Sequence, residues 1–258
     1  MLDVQEVSYT VSKKLLVKKA SMQILPGEFV VVMGANGAGK STLLKMMSGA
    51  LQPTEGKILF NGIEPGKYKI EELAKHRAVL SQHYHISFPI LAYEIVLMGR
   101  YPYFEHKPTQ TDESIVKTAM ETMEVLHLGS QDYNTLSGGE AQKIQMSRVL
   151  SQIGEASFKQ TKLLLLDEPV SHLDIKYQHQ LLKEAKLLSK KNVAIVAVLH
   201  DINLALKYAD NIFFMKDGEI VESLSKEEPI TTKLLKQVFD VEVKIFDMPD
   251  GSGKFVSF

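Results

Sequence analysis

Eight residues, GANGAGKS from Gly34 to Ser41, carry the types and spacing that bind phosphate. They follow an apolar stretch, FVVVM (29–33), and precede a helical pattern, so G-x-x-x-x-G-K-[ST] occurs in its required strand–loop–helix setting. Gly34, Gly37 and Gly39 let successive backbone N–H groups converge on phosphate oxygens, and the helix N-terminus adds a favourable partial charge. Lys40 is expected to reach the β and γ phosphates and Ser41 to hold Mg²⁺, with Asn36 and Thr42 completing a loop that binds a nucleoside triphosphate. A second run, LLLLDEP (163–169), places two acids where a buried strand should end. Asp167 suits the Mg²⁺ shell through a water molecule, and Glu168 suits a general base that polarises the attacking water. Both acids also read as caps of the next helix.

A third run, LSGGE (136–140), opens the helical pattern EAQKIQMSRVL. Ser137 with the Gly138 and Gly139 amides forms another anion-binding nest, and Glu140 closes the motif. As a bare pentapeptide it reads equally as an N-cap followed by flexible glycines.

The elements that must position these groups alternate along the chain. FVVVM (29–33) and KILFNG (57–62) read as strands bounded by Pro26-Gly27 and Asn61-Gly62, with STLLKMMSGAL (41–51) helical between them. Ser114 to Leu128 places Ile115, Ala119, Met123 and Leu126 at helical spacing, and Gly139 to Ile153 does so with Ile144, Val149, Leu150 and Ile153. LLLLD, a helix over 175–188, VAIVAVL, a short helix from Asn203 to Tyr208 and IFFMKDGEI follow. Fully apolar strands alternating with helices predict parallel strands covered on both faces, and Asp217-Gly218 predicts a hairpin. The tail PDGSGKF is expected to be weakly ordered.

Composition excludes several classes. Against 31 acidic residues there are 30 Lys and Arg, so the chain lacks the positive charge that generic nucleic-acid binding requires. With no cysteine, disulfides, thiolate catalysis and Cys-ligated zinc are all out. The N-terminus shows no secretory leader pattern, and no apolar run approaches the roughly 20 residues of a membrane-spanning helix.

In order, the phosphate loop, LSGGE, LLLLDE with SHLD (171–174), and His200 after VAIVAVL resemble the ATP-binding cassette family of transporter ATPases. The resemblance implies an α/β fold: a phosphate-loop NTPase core with a parallel sheet, an N-terminal antiparallel β subdomain and an inserted α-helical subdomain. It implies one domain over 1–258, with 1–82 and 159–258 as core and 83–158 as the helical part. Tyr9 looks like the aromatic that stacks on adenine, although it also suits a plain strand position in VQEVSYTV. Gln82 looks like the glutamine that meets Mg²⁺ and the attacking water, and His200 like the switch at the γ-phosphate, with Asp201 free to cap the next helix. Ser137 to Glu140 would face the opposite nucleotide in a head-to-tail homodimer, whose crossing loop holds Asp174. Partners implied are two transmembrane permease subunits and, through them, a substrate-binding protein. The place implied is peripheral, at the cytoplasmic face of a bacterial inner membrane.

HRAVLSQ (76–82), SFPILAYEIVLMGRYPYF (87–104), LSGGEAQKIQMSRVLSQ (136–152) and DMPDGSGKFVSF together resemble the ATPases of haem, iron-siderophore and cobalamin uptake, most closely those of haem importers. Glu140 stands where this family usually has glutamine, Lys143 where arginine is frequent and Val170 where threonine is common. A soluble cassette ATPase would be expected to show a second cassette, and a small-molecule kinase has no use for LSGGE with His200. His83 and His85 would point to one side of an extended segment, but no nearby Cys or carboxylate cluster completes a metal set. Phe88, Pro89, Ile90, Leu91 and Tyr93 instead suit a surface for the permease's coupling helix.

Overall fold

Two adjacent apolar strands begin the chain because Leu2, Val4 and Val7 of β1 (Leu2–Val11) and Val17, Ala20, Met22 and Ile24 of β2 (Lys14–Ile24) all turn inward. The computed structural model describes residues 1–82, 86–154, 161–248 and 253–258. His83 and His85, and residues 249–252 of the tail, lie outside the described residues. The chain divides into two compact units, Met1–Lys67 with Ala194–Phe258, and Tyr68–Val193.

In the first unit, β3 (Phe29–Gly34) is buried at every residue, which is why its sequence shows no alternation. It leads through the glycine loop into α1 (Lys40–Met47). This helix stops short of the expected Leu51, because Gly49 at φ +77° turns the chain and donates to Met46 O. β4 (Glu55–Phe60) pairs with β1, giving an antiparallel sheet in the order β2-β1-β4.

The second unit is mainly helical. It contains α2 (Ile70–His76), β5 (Arg77–Leu80), α3 (Ala92–Leu97), α4 (Gln110–Thr122), α5 (Gly138–Ile153), β6 (Lys162–Asp167) and α6 (Ile175–Ser189). β5 and β6 run parallel, Arg77 opposite Leu163 and Leu80 opposite Leu166. α5 buries Ile144, Met146, Val149, Leu150 and Ile153, in line with its periodicity. α4 starts earlier and ends earlier than its apolar spacing predicts. Thr109 and Asp112 form a capping box at its start, while Glu124 at φ +57° breaks it and leaves Leu126 exposed in a 3-10 turn. Asp112 also pairs with Arg100 Nε at 2.9 Å in the interior, and Arg100 Nη1 donates to Ser151 O at 3.0 Å.

The chain then returns to the first unit with β7 (Val193–Val198), α7 (Ile202–Tyr208), β8 (Asn211–Lys216), β9 (Glu219–Ser225), α8 (Thr232–Phe239), β10 (Lys244–Asp247) and β11 (Lys254–Ser257). β3 lies between β7 and β8, parallel to both, and β9 joins β8 antiparallel. Asp217 at φ +50° and Gly218 at φ +86° make that β8–β9 turn, as the Asp-Gly pair requires. The β10–β11 hairpin is clipped to α7 by Asn203, which donates to Val256 O at 3.0 Å and accepts from Val256 N at 2.8 Å.

Candidate nucleotide site

The phosphate loop owes its shape to close backbone approaches that exclude side chains. A Cβ on Gly34 would stand 2.1 Å from Met215 O, and one on Gly39, at φ +98°, 2.5 Å from Leu16 O. Gly37, at φ +83°, has open space around it. Gly39 caps α1 without a side-chain bond, so the first-turn amides face the loop as an anion site. Lys40 is buried and its Nζ donates to Gly34 O at 2.8 Å and Ala35 O at 2.9 Å. These bonds curl the loop around its own ammonium group. Asn36 and Gly37 are exposed, and Ser41 and Thr42 half-buried at the start of α1.

His200 belongs to the same unit. Leu199 N donates to Val32 O at 3.4 Å, so His200 and the phosphate loop leave the same end of neighbouring parallel strands, the end where α/β sheets bind ligands. His200 is exposed, and Asp201 caps α7 by accepting from Asn203 N and Leu204 N. Tyr9 is half-buried on β1, opposite Val17 of β2.

In the second unit β6 is buried throughout and ends at Asp167, 4% exposed. Glu168 follows at φ +49°, a left-handed conformation that costs a non-glycine residue about 1–3 kcal/mol and persists where neighbours over-determine it. Gln82, two residues beyond β5, donates its side-chain amide to Glu168 Oε2 at 2.7 Å. Ser171 Oγ donates to Glu168 O at 3.2 Å, and Gln142 Nε2 to Pro169 O at 2.9 Å. The structure thus joins Gln82, assigned to the attacking water by the motif order, to Glu168, 86 positions later, read as a general base from its place after LLLL.

Ser137 is the N-cap of α5. It accepts from Glu140 N, while its own N and Oγ donate to Glu140 Oε2 at 2.9 and 2.6 Å. The Ser137 bonds hold the Glu140 carboxyl below the usual carboxylate range. LSGGE is therefore both a capping box and a helix start whose glycines lie against His172, since a Cβ on Gly139 would meet His172 O at 3.2 Å. Asp174 is exposed and caps α6, accepting from Tyr177 N at 3.1 Å. Lys143, in the position of the family's arginine, lies 3.9 Å over the Tyr177 ring.

Sequence reasoning missed the buried polar groups that brace these motifs. Gln142 is one, and Arg148, which donates to Val79 O at 2.9 Å, is another. The available signal was polarity in phase with the buried face of α5, where Gln142 and Gln145 fall beside Ile144 and Val149.

The oxygens of Ser41, Gln82 and Asp167 are hard donors of the kind Mg²⁺ takes. Among the described residues no group of three His, Asp or Glu is arranged to hold a metal, and no helix is long and apolar enough to cross a membrane.

A family model described as ABC transporter matches residues 17–171. The hemin import ATP-binding protein HmuV of Methylobacillus flagellatus is 38% identical, covering 100% of this chain and 96% of that protein. The protein of the same name from Hahella chejuensis is also 38% identical, covering 96% of each. Among solved structures, a dimeric bacterial ABC transporter cassette matches with a TM-score of 0.77 at 25% identity, over 88% of this chain and 100% of that one. The phosphate loop and the fold around it are thus shared with cassettes whose common activity is ATP hydrolysis, and the chain belongs to the ABC transporter family as one of its ATPases.

Proposed function

We propose that this chain energises haem uptake as the ATP-hydrolysing subunit of a bacterial importer, acting as a head-to-tail homodimer on two transmembrane permease subunits. A substrate-binding protein would deliver haem to that permease, with the cassettes peripheral at the cytoplasmic face of the membrane. One observation carries the substrate: relatives named hemin import ATP-binding protein align over 90% or more of this chain at 36 to 38% identity.

The residue roles we propose are those of the family resemblance, supported by the geometry of each unit. Lys40 exchanges the Gly34 and Ala35 carbonyls for β and γ phosphate oxygens, while the Gly37, Gly39 and α1 amides hold the rest of the phosphate chain. Tyr9 stacks on adenine. Ser41, Gln82 and Asp167 would hold Mg²⁺, Asp167 through water, and the ion when bound would supply neutralising charge to the phosphates. Glu168 accepts the proton of the attacking water, and His200 senses the γ-phosphate. Ser137, Gly138, Gly139 and Glu140 meet the nucleotide of the other subunit, across a crossing loop containing Asp174. ATP then acts as a ligand that favours the closed dimer, because these contacts exist there alone. We assign 1–82 and 159–258 to the core and 83–158 to the helical subdomain. In the latter, Phe88, 56% exposed, begins the surface offered to the permease.

ATPase activity of the reconstituted complex, with its binding protein loaded with haem, a ferric siderophore or cobalamin, tests the reading. Haem should stimulate turnover; stimulation by a non-haem ligand alone overturns the substrate.

A further inference from the structure

The turn that follows β6 has its backbone carbonyls bonded one after another. Glu168 O accepts from Ser171 Oγ, Pro169 O from Gln142 Nε2, and Val170 O from Leu173 N at 3.3 Å and Gln178 Nε2 at 3.4 Å. Of these donors Ser171, Leu173 and Gln178 come from the same turn or from α6, directly after it. Gln142 comes from α5, 27 residues earlier.

Gln142 is 8% exposed. An aliphatic side chain would fill that space without the cost of burying an amide, so the amide must gain by what it bonds. It bonds the carbonyl next to Glu168. Pro169 has a fixed φ, so a bond to its carbonyl, in the Pro169–Val170 peptide, also restrains the Glu168–Pro169 peptide before it. Glu168 at φ +49° keeps its conformation only where the surrounding bonds impose it. Fixing the peptide planes on its C-terminal side fixes the direction in which its side chain leaves the backbone.

We infer that Gln142 is a positioning residue for ATP hydrolysis, holding the Pro169 carbonyl so that the Glu168 carboxylate is presented to the attacking water. The inference rests on the reading of Glu168 as the base. It also gives α5 two tasks, since the helix that starts with Ser137 to Glu140 is bonded to the chain's own base loop. The glycines at its start lie against the same loop, Gly139 facing His172 O. A shift of the signature residues is thereby passed to Glu168 through one side chain.

Gln142→Met keeps the length of the side chain and removes the donor. In the full chain, kcat should fall about tenfold or more, with the ATP Kd and Tm near wild type. In a Glu168→Gln background the same change should leave the residual single-turnover rate unaltered, because Gln142 acts through that carboxylate. Wild-type kcat in Gln142→Met, or the same fold loss in both backgrounds, overturns the inference. If Gln142→Met does not fold, Gln142→Asn, too short to reach Pro169, is read by the same pair of measurements. Wild-type turnover in Glu168→Gln alone would instead remove the base, an outcome distinct from any result at Gln142.

Discussion

Gln82 and Glu168 are bonded to each other, amide to carboxylate, at 2.7 Å. A residue suited to Mg²⁺ and a residue suited to general base catalysis thus constrain one another, and one change at either end alters both. Glu168→Gln should keep ATP affinity, lower turnover by about 10²- to 10⁴-fold and accumulate an ATP-bound dimer on gel filtration. Gln82→Ala should lower turnover less, because the carboxylate remains. Phosphate release at the wild-type rate in Glu168→Gln would remove the assignment.

The two loop glycines Gly37 and Gly39 differ in surroundings although both have positive φ. Gly39→Ala forces its Cβ against Leu16 O, so ATP affinity should drop more than about tenfold and Tm should fall by several degrees. Gly37→Ala meets no atom and should cost about 1–2 kcal/mol of backbone strain. Equal losses in the two variants, measured by nucleotide titration and thermal melting, would show that the approach to Leu16 is unimportant.

Glu140 places a negative charge at the start of α5, where the helix would otherwise attract phosphate. The Ser137 bonds hold that carboxyl below its ordinary value. Glu140→Gln preserves a capping box and removes the charge. In a Glu168→Gln background it should lower the ATP concentration needed for half-maximal dimerisation by about two- to fivefold, more at low salt. A dimerisation curve that does not move would mean that the charge lies out of reach of the nucleotide.

These cases show what the sequence makes legible. Glycine spacing, a Lys-Ser pair and acids after LLLL are local patterns, so the phosphate loop and the strand ends that carry it could be read before any packing was known. The α5 helix was legible because its apolar residues recur at the right period. The ends of α4 were misjudged because Thr109, Asp112 and Glu124 set them, and polar caps leave no trace in apolar periodicity. Gln142 and Arg100 escaped notice because their partners, Pro169 O and the Asp112 carboxylate with Ser151 O, are defined only by tertiary structure.

The Arg100–Asp112 pair also gives the second unit an acid limit. Burial pushes the Asp112 carboxyl up, but bonds from Thr109 and Arg100 outweigh it and hold the group below its ordinary value. A depressed carboxyl contributes stability that is present above the unfolded value, about 3.9, and lost as pH falls through the folded one. Asp112→Asn should cost about 3–5 kcal/mol at neutral pH, because Arg100 then stays buried without its counter-charge. The loss should shrink below about pH 4. Urea melts across pH check both, and a pH-independent difference would deny the pair its role.

Phe29 N donates to the carboxylate of Asp210, 181 residues later, and β3 is flanked by β7 and β8, which are equally late in the chain. The most recognisable segment of the sequence is therefore expected to arrive late in folding. Loop closure over such a distance must precede its gains, whereas the contacts of 68–193 lie within one continuous stretch. Pulsed hydrogen exchange during refolding should protect α5 amides before those of β3. Nucleotide binding, which needs the floor that Met215 lays under Gly34, then reports completion of the fold, not its beginning.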